Sequence, residues 1–277
     1  MGQTIACANQ KGGVGKTTTV VNLAAFLALA GERILVIDLD PQGNATSGLG
    51  LDRSSLEASV YDGVIDGLGL ADLTVKGPLG IDVVPSAIAL AGAEVELAPL
   101  EYRERRLARL IGAIAPRYDY VLVDCPPSLG LLTVNALTAA DSVLIPLQCE
   151  YYALEGLTQL LGTIDLIRDH LNPSLALKGV VLTMLDGRTK LSTEVAAEVR
   201  RHLGDMVFDA VVPRNVRLSE APSHGLPIVL YSPDSVGAAA YGRVSDELRR
   251  RDGRSGIPDG PAGNDLGVSD HTALGAA

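Results

Sequence analysis

Residues 9–19 read Asn-Gln-Lys-Gly-Gly-Val-Gly-Lys-Thr-Thr-Thr, and a run of this kind has its chemistry only where a strand hands over to a helix. Gly12, Gly13 and Gly15, with Val14 between them, let the backbone turn its N–H groups inward around a chain of phosphates. Lys16 can then reach the outer phosphates, the Thr17 hydroxyl can sit on a magnesium ion, and Thr18 continues into the first helical turn. An apolar segment at 5–8 precedes the run and an apolar-periodic stretch at 20–30 follows it, so the order is strand, loop, helix. The helix N-terminus adds the positive end of its dipole to the anion site. The bland alternative, a glycine-rich turn with incidental lysines, leaves the two lysines and the strand–helix context unexplained. Residues 12–18 are therefore the expected contacts of a nucleoside triphosphate. The strict pattern has a glycine where this chain has Gln10, and Lys11 is a second lysine that one nucleotide in one chain does not need.

The rest of the chain alternates in the same way. Strands are expected at 5–8, 33–38, 81–85, 118–124, 142–147, 177–185 and near 207–212. Helices are expected at 16–30, 101–115, 129–139, 153–170, near 193–203 and at 235–251, with a mixed Gly-, Asp- and Leu-rich region at 43–80. This predicts an α/β fold: a doubly wound, mainly parallel sheet flanked by helices, with its ligand at the C-terminal strand ends. Of the 277 residues 47% are hydrophobic and only 4% aromatic, which suits short Val-, Ile- and Leu-rich strands buried on both faces. Residues 1–252 are expected to form a single domain, and 253–277, rich in Gly, Pro, Asp, Ser and Ala, a disordered tail.

A net charge of −10 argues against indiscriminate coating of nucleic acid by the whole surface. Cys7, Cys125 and Cys149 lack paired spacing, so neither disulfides nor a zinc ribbon is expected. With no leader expected before the phosphate loop and no apolar run long enough to span a bilayer, a cytoplasmic protein is the expectation.

Two more segments carry aspartate at the end of an apolar run: Ile34 to Asp38, continuing Leu39-Asp40-Pro41-Gln42-Gly43-Asn44, and Tyr120 to Asp124, continuing Cys125-Pro126-Pro127-Ser128. A carboxylate at a buried strand end is costly unless a cation or hydrogen bonds compensate it. Thr17 and magnesium are expected to compensate Asp124, directly or through water, against the plainer reading of a turn residue before Pro-Pro. If Asp38 ends its strand, Asp40 already lies on the loop. There it either orients the water that attacks the terminal phosphate or merely stabilises the Pro41–Gly43 turn; the residues leave both readings open.

Together, residues 9–19, 38–44 and 123–128 resemble the ParA/MinD group of deviant P-loop ATPases, and most nearly its short chromosomal ParA (Soj) members. Residues 183–189 (Thr-Met-Leu-Asp-Gly-Arg-Thr) and 213–222 (Pro-Arg-Asn-Val-Arg-Leu-Ser-Glu-Ala-Pro) extend the resemblance, which covers about 3–250 in the same order and spacing. It implies a P-loop NTPase fold of the deviant Walker A type, ATP with Mg2+, and an ATP-dependent sandwich homodimer in which Lys11 reaches the partner's nucleotide. Lys11, Lys16 and Asp40 are then the catalytic residues, with Asp40 activating the water. Thr17 and Asp124 support the metal, and Pro213, Arg214 and Asn215 line the adenine.

The resemblance also implies non-specific DNA binding by the ATP-bound dimer through Arg188 and Arg217, on the nucleoid, with hydrolysis stimulated by a ParB-type centromere-binding partner. From Asp186 to Arg217 six Lys or Arg stand against five Asp or Glu, so a basic patch requires folding to segregate the signs. The alternative from a second class is a MinD-like or pole-positioning ATPase that acts on a membrane or protein cargo without DNA. No membrane partner is expected, because 235–251 has a thin apolar side (Val236, Tyr241, Val244, Leu248) opposite Arg249, Arg250 and Arg251. A metabolic ligase of the same fold does not need the Arg188 and Arg217 segments. An interchain iron–sulfur cluster is not expected, since Cys125 reads as a small buried residue. A DNA-binding domain preceding the first strand, as in plasmid relatives, is not expected either.

Overall fold

Parallel strands buried on both faces need apolar side chains at successive positions, and the strand runs supply them. In the computed structural model, which describes residues 2–150 and 153–254, seven strands form one sheet. They are β1 (Gln3–Cys7), β2 (Ile34–Asp38), β3 (Val75–Lys76), β4 (Asp82–Val84), β5 (Tyr120–Asp124), β6 (Ser142–Gln148) and β7 (Ala176–Thr183). Their order is β3-β4-β2-β5-β1-β6-β7. All neighbours are parallel except the short edge pair β3 and β4.

Twelve α-helices accompany the strands among the described residues: α1 (Lys16–Leu29), α2 (Asn44–Gly48), α3 (Val60–Asp66), α4 (Leu70–Leu73), α5 (Ala93–Leu97), α6 (Arg106–Ile114), α7 (Leu131–Ala139), α8 (Ala153–His170), α9 (Lys190–Leu203), α10 (Val216–Glu220), α11 (Ile228–Tyr231) and α12 (Val236–Arg251). The period-two alternation of each strand divides them between two cores. Ala6, Leu35, Ile37, Val121 and Val123 pack beneath α3 to α9. Ile5, Ile34, Val36, Tyr120 and Leu122 pack beneath α1, α2 and α10 to α12. The doubly wound sheet expected from the sequence is the one found.

The chain leaves β1 toward β2 and later crosses back over β1 from β5 to β6. The strand order therefore reverses beside β1, and the C-terminal ends of β1, β2 and β5 frame the crevice where such sheets bind ligands. Asp38 and Asp124 are register partners there.

Three local expectations change. The 43–80 region resolves into α2, α3, α4 and β3, with α3 started by a reciprocal Ser59–Asp62 capping box. The helix expected from 101 begins at Arg106, after a 3-10 turn that follows Tyr102 in the left-handed region (φ 53°). The strand expected near 207–212 does not form. Phe208 and Val212 do donate to the Val180 and Leu182 carbonyls, each at 2.9 Å. The intervening N–H groups of Asp209 and Ala210 instead bond the buried Glu247 carboxylate, at 3.0 and 2.8 Å. A side-chain acceptor from α12 thus interrupts the ladder.

Helix α12 belongs to the core. Ser235 caps it, Ala238, Tyr241, Val244 and Leu248 are buried, and it packs on α1. At its end Asp252 pairs with Lys178 and accepts the Tyr120 hydroxyl at 2.9 Å, and Arg254 pairs with Glu32. Of the expected tail, only Gly253 and Arg254 fall among the described residues.

Candidate functional site

The loop from β1 to α1 turns because Gly13 and Gly15 take left-handed conformations, φ 75° and 90°, that a side chain resists. Helix α1 starts at Lys16 with no side-chain cap on its first amides, which leaves those donors for an anion. Lys16 is buried to 7% exposure, and its ammonium is held by the Lys11 carbonyl at 3.2 Å. From the far side, the Thr183 hydroxyl donates to the Val14 carbonyl at 2.8 Å. This side chain ties the end of β7 to the loop. The next residue, Met184, is one of the few non-glycine residues with positive φ (48°).

Thr17 donates its hydroxyl to Asp124 Oδ2 at 2.7 Å. Asp124 is fully buried, and its Oδ1 has no protein partner. Burial raises its carboxyl well above the ordinary range, nearby Asp38 adds to the rise, and the Thr17 hydrogen bond opposes it. An orphaned, buried carboxylate oxygen beside a threonine hydroxyl fits a divalent cation held directly or through water. Among the described residues no three Asp, Glu, His or Cys side chains converge as a protein-only cage. The donor set therefore suits Mg2+, which takes few protein ligands and fills its shell with phosphate oxygens and water.

Asp38 is not a second ligand. Its Oδ2 accepts the N–H and hydroxyl of Thr46, both at 2.7 Å, and its Oδ1 accepts the Asp40 N–H at 3.2 Å. Burial raises it to about 6. Asp40 lies beyond the strand end, as the spacing allows. Its Oδ1 accepts the Gln42 N–H at 2.9 Å, an Asx-turn, while its side chain lines the ligand cavity. The turn-forming bond is thus present, and the same residue lines the cavity.

That cavity, about 480 Å³, brings together Gly12, Gly13, Gly15, Lys16, Thr17 and Thr18 with Asp40, and on the other side Pro213, Arg214 and Asn215. Asn215 Oδ1 is buried without a protein partner. A bare carbonyl acceptor in a ligand cavity suits an exocyclic amine such as that of adenine. A larger hollow, about 610 Å³, lies between α9 and α12. Its Arg200 faces Asp209 and its Arg251 pairs with Glu247.

Lys11 does not enter the main cavity. It lines a neighbouring hollow of about 300 Å³ with Gln148 and Glu155, and its ammonium pairs with Glu150. Asn9 anchors the base of this arm, accepting the Lys11 N–H at 3.0 Å and donating to the Pro146 carbonyl at 2.8 Å. The three cysteines are buried and free, Cys125 among them as expected of a small buried residue.

Arg188 and Arg217 lie outside the cavity on the exposed rim. Asp186 grips the Arg188 guanidinium through both oxygens, each at 2.9 Å. Arg217 bonds Glu220 at 2.8 Å, and Tyr231 donates to the same oxygen at 3.1 Å. Lys190 and Arg201 likewise have Glu194 and Glu198 beside them. Folding does not segregate the signs along 186–217: Arg188, Lys190, Arg200, Arg201 and Arg217 each have an acidic partner, and Arg214 lines the cavity. Sequence reasoning missed Thr46, Glu150, Thr183 as a tether, and Arg53, whose contacts join positions far apart in the chain.

A family profile described as an AAA domain matches residues 2–177. The chain is 57% identical over 249 residues to the sporulation initiation inhibitor protein Soj of Bacillus subtilis, covering 90% of this chain and 98% of that one. It is 53% identical to the chromosome partitioning protein ParA of Caulobacter vibrioides, covering 90% and 94%. Among solved structures, cobyrinic acid a,c-diamide synthase from Mycobacterium smegmatis with bound ADP and magnesium matches with a TM-score of 0.79 at 37% identity, over 93% of this chain and 98% of that one. The septum site-determining protein MinD of Pyrococcus horikoshii, complexed with Mg-ADP, matches with a TM-score of 0.77 at 25% identity, over 91% and 98%.

Proposed function

The chain belongs to the ParA/MinD family of P-loop ATPases, and we propose that within it this protein is a ParA-type partition ATPase, a switch that ATP closes into a DNA-holding dimer. One observation carries the reading. The phosphate cavity is complete without Lys11, which stands outside it on an exposed arm, paired with Glu150. A charged arm with no phosphate in its own chain has a use if a second copy brings one. The high identity to Soj and ParA supports the partition role over the ligase reaction of the cobyrinic acid neighbour.

In this mechanism the backbone amides of residues 12–16 and the Lys16 ammonium bind the outer phosphates of ATP. Thr17 and Asp124 would hold Mg2+, which would neutralise charge on the phosphate oxygens. Asp40 orients water in line with the terminal phosphate, its carboxylate steadied by the Gln42 N–H. Lys11 leaves Glu150 for the partner's phosphates as the dimer closes. Arg188 and Arg217 then exchange Asp186 and Glu220 for DNA phosphates, two copies of each acting together. A ParB-type protein stimulates hydrolysis and resets the switch, which works in the cytoplasm on the nucleoid. A membrane-bound role finds less support, because the apolar side of α12 is spent on α1 and no helix among the described residues is long and apolar enough to cross a membrane.

Size measurement with ATP or ADP, with and without non-specific DNA at low salt, tests the proposal. An ATP-specific dimer that alone is retained on DNA is the expected result. Equal retention with ADP, or no change of size with ATP, overturns it.

A further inference from the structure

Arg53 lies thirteen residues beyond Asp40, yet its guanidinium reaches back onto the loop that carries that carboxylate. A 3-10 turn, Arg53–Ser55, presents it. Asp52 stiffens this turn by accepting the Ser54 N–H at 2.9 Å and the Ser54 hydroxyl at 2.7 Å. From there Arg53 Nη2 donates to the Pro41 carbonyl at 3.0 Å, and Nη1 donates to the Gln42 carbonyl. Among the described residues no carboxylate forms an ion pair with Arg53. Its charge is spent on two backbone oxygens instead.

The loop is shaped to receive it. Gly43 has φ 63°, and a Cβ there would lie 2.5 Å from the Arg53 guanidinium. The glycine thus serves both the left-handed turn and the space the fork occupies. The same short segment fixes Asp40 from its other side. The Gln42 N–H bonds Asp40 Oδ1 at 2.9 Å, and the Asp40 carbonyl accepts the Ser86 hydroxyl at 2.6 Å and the Gly43 N–H at 2.9 Å. A planar guanidinium presents two donors to successive carbonyls in a fixed fork, an orientation that the freely rotating donors of an ammonium do not impose.

We propose that Arg53 is a positioning residue for hydrolysis: by holding the Pro41 and Gln42 carbonyls it orients the Gln42 N–H, which aims the Asp40 carboxylate into the phosphate cavity. The proposal rests on Asp40 being the water-orienting group. It adds a residue outside the phosphate loop on which turnover depends and nucleotide affinity does not, because Arg53 touches neither Lys16 nor Thr17.

The test compares Arg53→Ala, Arg53→Lys, Asp40→Ala and the Asp40→Ala/Arg53→Ala double variant in the full chain, measuring single-turnover ATP hydrolysis and ATP affinity. Arg53→Ala is expected to slow turnover roughly tenfold or more, the scale of a small misplacement of a catalytic group, with ATP affinity within about twofold of the parent. Arg53→Lys should recover part of the loss, and the double variant should be no slower than Asp40→Ala alone. Should Arg53→Ala not fold, Arg53→Gln, which keeps most of the stem, carries the same comparison. A slow Asp40→Ala beside a normal Arg53→Ala overturns the role of Arg53 alone. An additional slowing in the double variant, or a matching loss of ATP affinity, does the same. Normal turnover in Asp40→Ala overturns the water-orienting assignment and the Arg53 inference with it.

Discussion

Lys16 and Lys11 stand five residues apart in one loop, and they represent two kinds of region. Lys16 is buried to 7% exposure, bonded to backbone and set in the cavity with Thr17 and Asp40. Lys11, Arg188 and Arg217 lie on the rim, with side chains 42%, 87% and 58% exposed, and each rests on a neighbouring carboxylate. A buried cation is built into a site whose ligand the chain expects to enclose. An exposed one on an exchangeable carboxylate suits a ligand that arrives on another molecule, because a surface ion pair is weak enough to be replaced. On the proposed reading, the difference marks where one protomer's chemistry ends and a second molecule's begins.

Removing Lys16 attacks the inner region. Lys16→Ala is expected to weaken ATP binding by roughly a hundredfold or more in a fluorescent-nucleotide titration, and near-parent affinity would break the contrast at its root. Lys11→Ala strikes the rim instead. It should leave ATP affinity within about twofold and remove the ATP-dependent dimer in sedimentation, and an equal loss of ATP affinity would merge the two regions.

Arg217→Glu should keep the dimer and lose DNA at moderate salt. The milder Arg217→Ala should flatten the slope of log affinity against log salt by about 0.9 for each phosphate contact removed. An unchanged slope moves the DNA face elsewhere.

The inner region should also be visible in pH. Asp38 and Asp124 have folded-state pKa values above their unfolded ones, so their contribution to stability is complete below the unfolded value, near 4, and is lost as pH rises through the folded value. Without nucleotide and magnesium, Tm should therefore fall by a few degrees between about pH 4.5 and 7 relative to Asp124→Asn. The depressed carboxyls Asp119 and Asp186, both at about 2, act with the opposite sign and below that window. Parallel pH profiles for the two proteins would show that Asp124 is not strained by burial. The smallest effect belongs to Glu150→Gln, which frees Lys11. ATP-dependent dimerisation should strengthen about two- to fivefold, the worth of an exposed ion pair.

The inner region was legible in the sequence because its parts are local. A phosphate cradle needs glycines, a lysine and a hydroxyl within one turn of a helix start, and residues 12–18 supply them in order. Asp124 and Asp40 were legible for a related reason: an apolar run that ends in aspartate sets a charge at a strand end, where parallel sheets collect their ligands. The role of Asp40 stayed divided because one carboxylate can make a turn and line the cavity at once, as it does. The strand expected at 207–212 failed for a non-local reason, since Glu247 on α12 takes the Ala210 amide that would have paired between those of Phe208 and Val212.

Sequence alone determined the class of ligand, the doubly wound sheet and the surplus of one lysine, because these depend on periodicity and on spacings within a few residues. Tertiary structure decided what that lysine rests on, which carboxylate keeps an unpartnered oxygen, and that Arg53 returns to the Asp40 loop. The first two turn on which distant side chains the sheet order brings to the same crevice and rim, and the third on how the connection after β2 folds back on itself. Spacing along the chain does not encode that adjacency, which arises only when strands from β1 to β7 are laid side by side.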